Sequence, residues 1–174
     1  MKTIGLLGGM SWESTVHYYQ IINEEVKNKL GGLHSAKIIL YSVEFAEIEN
    51  YQSSNQWEKC GEILGRAAKK LEDAGADFIL ICSNTIHKVT SQIASMLQIP
   101  VVHIADATAD ELKTCHIKRV GLLGTRYMMN GAEGVILGCT EIGLLIHQSD
   151  VSVPVFDTTV IHAKKAVQIA LTDS

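Results

Sequence analysis

Proline is nearly absent from this chain, with two in 174 residues, while 47% of the residues are apolar. That is the composition of an ordinary globular protein, and the length is enough for one large domain or two small ones. There is no surplus of positive charge: the formal net charge is -4, and no basic run is interleaved with aromatics. Nucleic acid is therefore not an expected partner. No apolar run approaches the ~20 residues that a membrane span needs. The apolar opening from Ile4 to Met10 runs straight into Ser11-Trp12-Glu13 without a cleavage-site pattern, so it does not read as a signal peptide. Cysteine is sparse too: Cys60, Cys82, Cys115 and Cys139 show no short paired spacing of the zinc-binding kind. No metal site is expected, and reduced thiols in a cytoplasmic protein are the natural reading.

What the chain does have is a repeat. Gly75-Ala76-Asp77-Phe78-Ile79-Leu80-Ile81-Cys82-Ser83-Asn84-Thr85 has a near-copy in Gly131-Ala132-Glu133-Gly134-Val135-Ile136-Leu137-Gly138-Cys139-Thr140-Glu141. Each is a strand-length apolar run that breaks into small hydroxyl, thiol and acidic residues. Such runs are buried parallel strands, and ligands of open α/β sheets bind where those strands end. Aligning the copies sets Ser83 opposite Cys139, Asn84 opposite Thr140 and Thr85 opposite Glu141. The repeat extends further. Ile4-Gly5-Leu6-Leu7-Gly8 returns as Val120-Gly121-Leu122-Leu123-Gly124, and Ile99-Pro100-Val101-Val102 returns as Val153-Pro154-Val155-Phe156.

The copies differ in one place. Gly8 and Gly75 are 67 residues apart, whereas Gly124 and Gly131 are 7 apart, a shortfall of 60 in the second copy between Thr125 and Gly131. The material without a counterpart is the first helix, the second strand and the long helix after it.

The first half reads in order as a strand over 3–8, a helix from a Ser11 cap to about Lys29, and a strand over 37–43. A polar loop over 47–55 carries Tyr51 and Gln52. Trp57, Cys60, Leu64, Ala67, Ala68 and Leu71 then recur at helical spacing and predict a helix over 56–74. A strand over 77–82 follows. Ser83-Asn84-Thr85 is suited to cap the next helix, and a strand at 99–102 and a helix over 106–115 complete the half. Alternating strands and helices predict an α/β fold with parallel sheets. Two pseudo-symmetric domains are expected, 1–116 and a shortened 117–174, whose last helix is free to pack back on the first.

Each candidate site residue has a plainer reading beside it. A lone cysteine such as Cys139 is usually a small buried hydrophobe. A helix starting at Thr140 would instead favour its thiolate. Ser83-Asn84-Thr85 serves equally as a helix cap or as a holder of a carboxylate. Cys82 has the opposite strand parity to Ser83 and is expected in the core, as is Cys60. Gly8-Gly9-Met10-Ser11 reads as a tight turn before an anion loop, since the third glycine of a dinucleotide fingerprint is missing. His87, His103 and His162 are scattered through the sequence, and Glu44 and Glu47 read as solvated.

Three motifs taken together, Ile4 to Thr15, Cys82-Ser83-Asn84-Thr85-Ile86-His87 and Leu137-Gly138-Cys139-Thr140-Glu141-Ile142, resemble the aspartate/glutamate racemase family, nearest its amino-acid racemase branch. The resemblance spans the chain except at the shortfall; the family's usual second half is longer by a comparable amount. It implies inversion of an acidic amino acid at its α-carbon without pyridoxal phosphate or other cofactor. Two thiols would act from opposite faces of the substrate, one at the end of each matching strand, in a homodimer. Carried onto this chain, one thiol is Cys139 and the other position is Ser83, which is a serine here. Met10, Gln52, Asn84, Thr85, Thr125, Thr140 and Glu141 fall at substrate-binding positions. Family members with a hydroxyl at the Ser83 position resemble racemases that prefer the L enantiomer. The expected partner is thus a small amino-acid substrate. The alternative is a shortened, non-catalytic member that binds at most a small carboxylate or a protein partner.

Overall fold

A computed structural model describes residues 1–123, 132–139, 142–144 and 146–172. Four strands form the first sheet: β1 (Ile4–Gly8), β2 (Ile38–Ser42), β3 (Phe78–Ile81) and β4 (Val101–Val102), in the order β2-β1-β3-β4, all parallel. β1 and β3 are buried along their whole length, which is why their sequences are unbroken apolar runs rather than alternating ones.

Each face of this sheet has its own cover. Leu7, Ile79 and Ile81 pack with Cys60, Leu64, Ala68 and Leu71 of α3 (Trp57–Asp73) and with Ile93 of α4 (Thr90–Ala94). Ile4, Leu6, Phe78 and Leu80 pack on the other side with Tyr18, Ile22 and Val26 of α1 (Trp12–Leu30). That second face is completed by the end of the chain: Ala163, Ala166, Val167 and Ala170 of α6 (Thr158–Leu171) belong to the same buried cluster. The spacing i, i+3, i+4, i+7 puts all four on one stripe, and three of them are alanine, so the helix can lie close.

The helix ends follow the sequence signals at α1. Ser11 accepts from the Ser14 amide, Glu13 sits in the first turn, and Gly31 closes the helix at φ 71. The stretch expected as a polar loop over 47–55 is instead mostly helical, as α2 (Phe45–Ser53). Glu44, read from the sequence as a solvated residue, caps it by accepting from the amides of Ala46 and Glu47, and Ile48 is its one buried side chain. α5 (Ile104–Thr114) likewise starts earlier than expected, because His103 serves as its N-cap through Nδ1.

The second sheet holds β5 (Val120–Leu123), β6 (Gly134–Leu137) and β7 (Val155–Asp157) in the order β5-β6-β7, again parallel. It repeats β1-β3-β4 residue for residue. Gly5 pairs with Ile79 as Gly121 pairs with Val135, and Leu80 pairs with Val102 as Ile136 pairs with Phe156. The Ile79 amide donates to Pro100 O and the Val135 amide to Pro154 O. Cys82 N donates to Leu7 O, and Gly138 N to Leu123 O. Even the acidic residue that opens each middle strand is reused: Asp77 accepts from the Thr3 amide and Glu133 from the Lys118 amide.

Among the described residues the second sheet has no counterpart of β2, α1 or α3. The consequence is visible at one pair of equivalent positions: Leu6 is fully buried, whereas Leu122 is 58% exposed. The shortfall itself, including Thr125, lies outside the described residues.

Because α6 completes the first core, overpacking it should destabilise the whole first unit. Ala166→Leu is expected to cost roughly 1–3 kcal/mol, read as a lower urea midpoint in a single transition. An unchanged midpoint would mean that α6 does not pack there.

Candidate active site

The carboxyl ends of β1, β3, β6 and β7 define the site. At β1 the turn Gly8-Gly9 is dictated by space: Gly9 stands at φ 95, and a Cβ there would collide with the Val43 backbone. Its amide donates to the Thr15 hydroxyl at 2.8 Å. That amide is therefore satisfied within the protein, which is the tight-turn reading of this motif. Met10 is 6% exposed and belongs to the core beside Leu7 and Ile48. Gln52 lies half-buried near the end of α2.

At β3, Cys82 points into the cluster shared by α1 and α6 and is fully buried. Burial pushes its thiol well up from the usual value, so it is no base. The Ser14 hydroxyl donates to the Cys82 carbonyl at 3.0 Å, tying the start of α1 to the strand end. Ser83, of opposite parity, is buried on the other side at 7% exposure. Asn84 and Thr85 do not cap a following α-helix. The chain instead makes a 3₁₀ turn at Thr85–Val89 before the short α4, and Asn84 makes no side-chain cap bond.

Asn84 reaches across to the second half. The hydroxyl of Thr158, the first residue of α6, donates to the Leu137 carbonyl at 2.8 Å and lies 3.2 Å from Asn84 Oδ1. Asp157 anchors this helix start by accepting from the amides of Thr159 and Val160. Nδ2 of Asn84 is buried without an acceptor among the described residues. A buried amide donor at a strand end is a natural partner for a carboxylate. Asn84, Thr85, Thr158 and Gly138 line a cavity of about 550 Å³ together with Thr108 and apolar residues, among them Ile104, Leu122 and Ile136. Ser83, Cys139, Met10 and Gln52 do not line it.

Cys139 follows Gly138 at the end of β6, half-buried, in the position that Ser83 occupies after β3. None of the four cysteines is disulfide-bonded. Thr140 and Glu141 lie outside the described residues. Among the described residues that follow, Ile142–Leu144 form a three-residue 3₁₀ turn and not the helix expected from Thr140.

Two features escape a reading of the sequence. Thr158 is one; its signal is that it follows β7, the third strand of the repeat, at the same carboxyl edge. The other is that the scattered histidines meet. The His87 ring lies 4.7 Å from His103 and 5.4 Å from His162, centroid to centroid. His162 Nδ1 is 2.9 Å from the Tyr18 hydroxyl and its Nε2 is 2.8 Å from the Val102 carbonyl. His87 Nδ1 is 2.7 Å from the Ser83 carbonyl. Burial lowers His87 from 6.5 to about 4 and His162 from 6.5 to about 3. Both are neutral at pH 7. Among the described residues no group of three or more His, Cys, Asp or Glu is placed to hold a metal ion. No helix among them is long and apolar enough to cross a membrane.

This two-sheet parallel α/β fold is shared with solved structures of Asp/Glu racemases. The sequence profile of the Asp/Glu/hydantoin racemase family matches residues 7–130, and the chain belongs to that family. A crystal structure of a protein assigned as an Asp/Glu racemase, from Yersinia pestis, is 41% identical, with 98% of this chain and 100% of that one covered and a TM-score of 0.91. An aspartate racemase homologue from Pyrococcus horikoshii is 32% identical, covering 98% of this chain and 99% of its own, with a TM-score of 0.88. The aspartate racemase of Picrophilus torridus shares the fold at 18% identity, with 96% and 94% covered and a TM-score of 0.75.

The neutral histidines make stability depend on pH. A histidine held at about 4 in the fold but at 6.5 when unfolded binds its proton first in the unfolded chain. Its stabilising contribution is complete above pH 6.5 and is lost as pH falls towards 4. For His87 alone the loss should reach about 2 kcal/mol by pH 5, where ordinary carboxylates remain largely ionised. Urea midpoints at pH 7 and pH 5 check this, and equal midpoints would exclude neutral buried histidines.

Proposed function

We propose that this chain is an amino-acid racemase that inverts aspartate or glutamate at the α-carbon by cysteine acid/base chemistry, without pyridoxal phosphate. The observation that carries the reading is the matched register of the two sheets, which makes the Cys139 and Ser83 positions equivalent about the strand ends. In the proposed reaction the Cys139 thiolate takes the α-proton of the L enantiomer and becomes a thiol. The electron pair left on the α-carbon delocalises into the substrate carboxylate, whose oxygens are stabilised by donors from Asn84, Thr85 and Thr140. The Ser83 hydroxyl then gives a proton to the opposite face, and solvent restores both groups. Gln52, Thr125 and Glu141 would complete the substrate pocket, whereas Met10 belongs to the core beneath the turn.

The roles of thiol and hydroxyl are unequal. A free thiol ionises near pH 8.5, within reach of neutral pH, whereas a serine alkoxide is scarcely available. Removal of the proton from the L form should therefore outrun removal from the D form. This asymmetry is the physical content of a preference for L substrates.

Proton NMR in deuterium oxide tests the proposal. α-Deuterium should enter L-aspartate or L-glutamate faster than the D forms, and Cys139→Ala should slow that entry by at least about 10²-fold with the fold retained. Absence of exchange with every substrate, from folded protein, would favour the non-catalytic alternative.

The assembly implied by the family resemblance is a homodimer. A surface suited to it runs along α1, where Trp12, Val16 and Tyr19 are 65%, 54% and 52% exposed at a spacing that puts them on one stripe. Trp12→Glu should shift the protein from dimer to monomer in sedimentation velocity. A wild-type chain already monomeric at high concentration would sink this assignment.

A further inference from the structure

We propose that His87 is a positioning residue for the strand-end site: through Nδ1–H it holds the Ser83 carbonyl and so sets the orientation of the Ser83–Asn84 peptide. The inference rests on the proposed racemase reading for its catalytic consequence, but its geometry stands apart from it.

A carbonyl oxygen accepts only from a donor, so the 2.7 Å contact between His87 Nδ1 and Ser83 O places the ring proton on Nδ1. Nε2 is then a lone pair, and it is buried with no partner among the described residues. The surroundings keep the ring where it is. His162 is locked from both sides, donating from Nε2 to Val102 O and accepting at Nδ1 from Tyr18, and its ring stands against His87 at 69°. His103 stands on the His87 ring at 71° while its own Nδ1 accepts from the Ala105 amide. The His87 backbone is fixed as well, since its amide donates to the Asn84 carbonyl at 3.1 Å.

The consequence follows from the peptide bond. In a trans peptide the carbonyl and the next N–H point in opposite directions. Turning the Ser83 carbonyl towards His87 sends the Asn84 N–H away from it. The two residues whose polar groups the reaction needs, Ser83 and Asn84, thus flank a peptide whose rotation is set by one imidazole donor. Nothing else among the described side chains donates to the Ser83 carbonyl.

Two near-isosteric replacements separate this role from mere filling of space. In His87→Asn the amide nitrogen occupies the place of Nδ1 and keeps the donor. In His87→Gln the nitrogen reaches the place of Nε2 and the donor is misplaced. His87→Leu has no donor. With L-glutamate and L-aspartate, KM for deuterium exchange should stay within about threefold of wild type for the asparagine variant and rise at least about tenfold for the other two, as loss of a buried hydrogen bond implies. The saturated rate should change less than KM. Asparagine and glutamine variants behaving alike, or a leucine variant with unchanged KM, would overturn the inference.

Should the wild-type protein show no exchange at all, the racemase reading fails and the positioning role is judged by NMR alone. Nitrogen-15 spectra of the wild-type imidazoles at pH 7 should show His87 protonated on Nδ1 and bare on Nε2; the reverse tautomer would refute it. The Asn84 amide resonance should be nearly unmoved in His87→Asn and displaced in His87→Gln.

Discussion

The structure depends on the return of the last helix to the first sheet. α6 follows β7, a strand of the second sheet, yet its stripe of Ala163, Ala166, Val167 and Ala170 is buried against Tyr18, Ile22 and the β1–β3 face. Small residues along the contact let the helix approach closely, and apolar burial holds it there. Because the helix starts immediately after β7, anchoring its body also anchors its first residue. That residue is Thr158, whose hydroxyl meets Leu137 at the end of β6 and Asn84 at the end of β3. A packing constraint along fourteen residues therefore delivers a polar contact between two halves of the chain. That contact ties the end of β3 to the end of β6 through one hydroxyl.

The repeat was legible because it is written in contiguous residues. Gly75 to Thr85 and Gly131 to Glu141 share a pattern of apolar run and polar break, and the sheet registers follow that alignment. The helices with strong apolar stripes, such as Trp57 to Leu71, were equally plain. Residues 47–55 were not, since the segment is polar apart from Ile48 and Tyr51 and its start is set by an unusual cap, the carboxylate of Glu44. A glutamate before a helix carries no periodic signal. The histidine cluster was illegible for a different reason: His87 and His103 follow two neighbouring strands of the first sheet, and the packing of α6 adds His162 from the far end of the chain. Thr158 joins its site in the same way.

The two halves are unequal, and the inequality falls on the chemistry. In the first half, Leu6 and Leu80 are covered by α1 and α6, and Cys82 is sealed behind Ser83 with its thiol pushed upward by burial. The polar residue left at the strand end is a hydroxyl. In the second half the equivalent sheet has lost the counterparts of α1 and α3 among the described residues, Leu122 is largely exposed, and the polar residue at the strand end is the half-buried Cys139. Burial raises the cost of ionising a thiol. A sulfur in the better-covered half, as Cys82 shows, is silenced by its surroundings. The strand-end thiol thus stands in the more open half and the strand-end hydroxyl in the closed one. The sheet register makes the two strand ends equivalent in backbone position; the coverage of the two sheets is what makes their surroundings unequal.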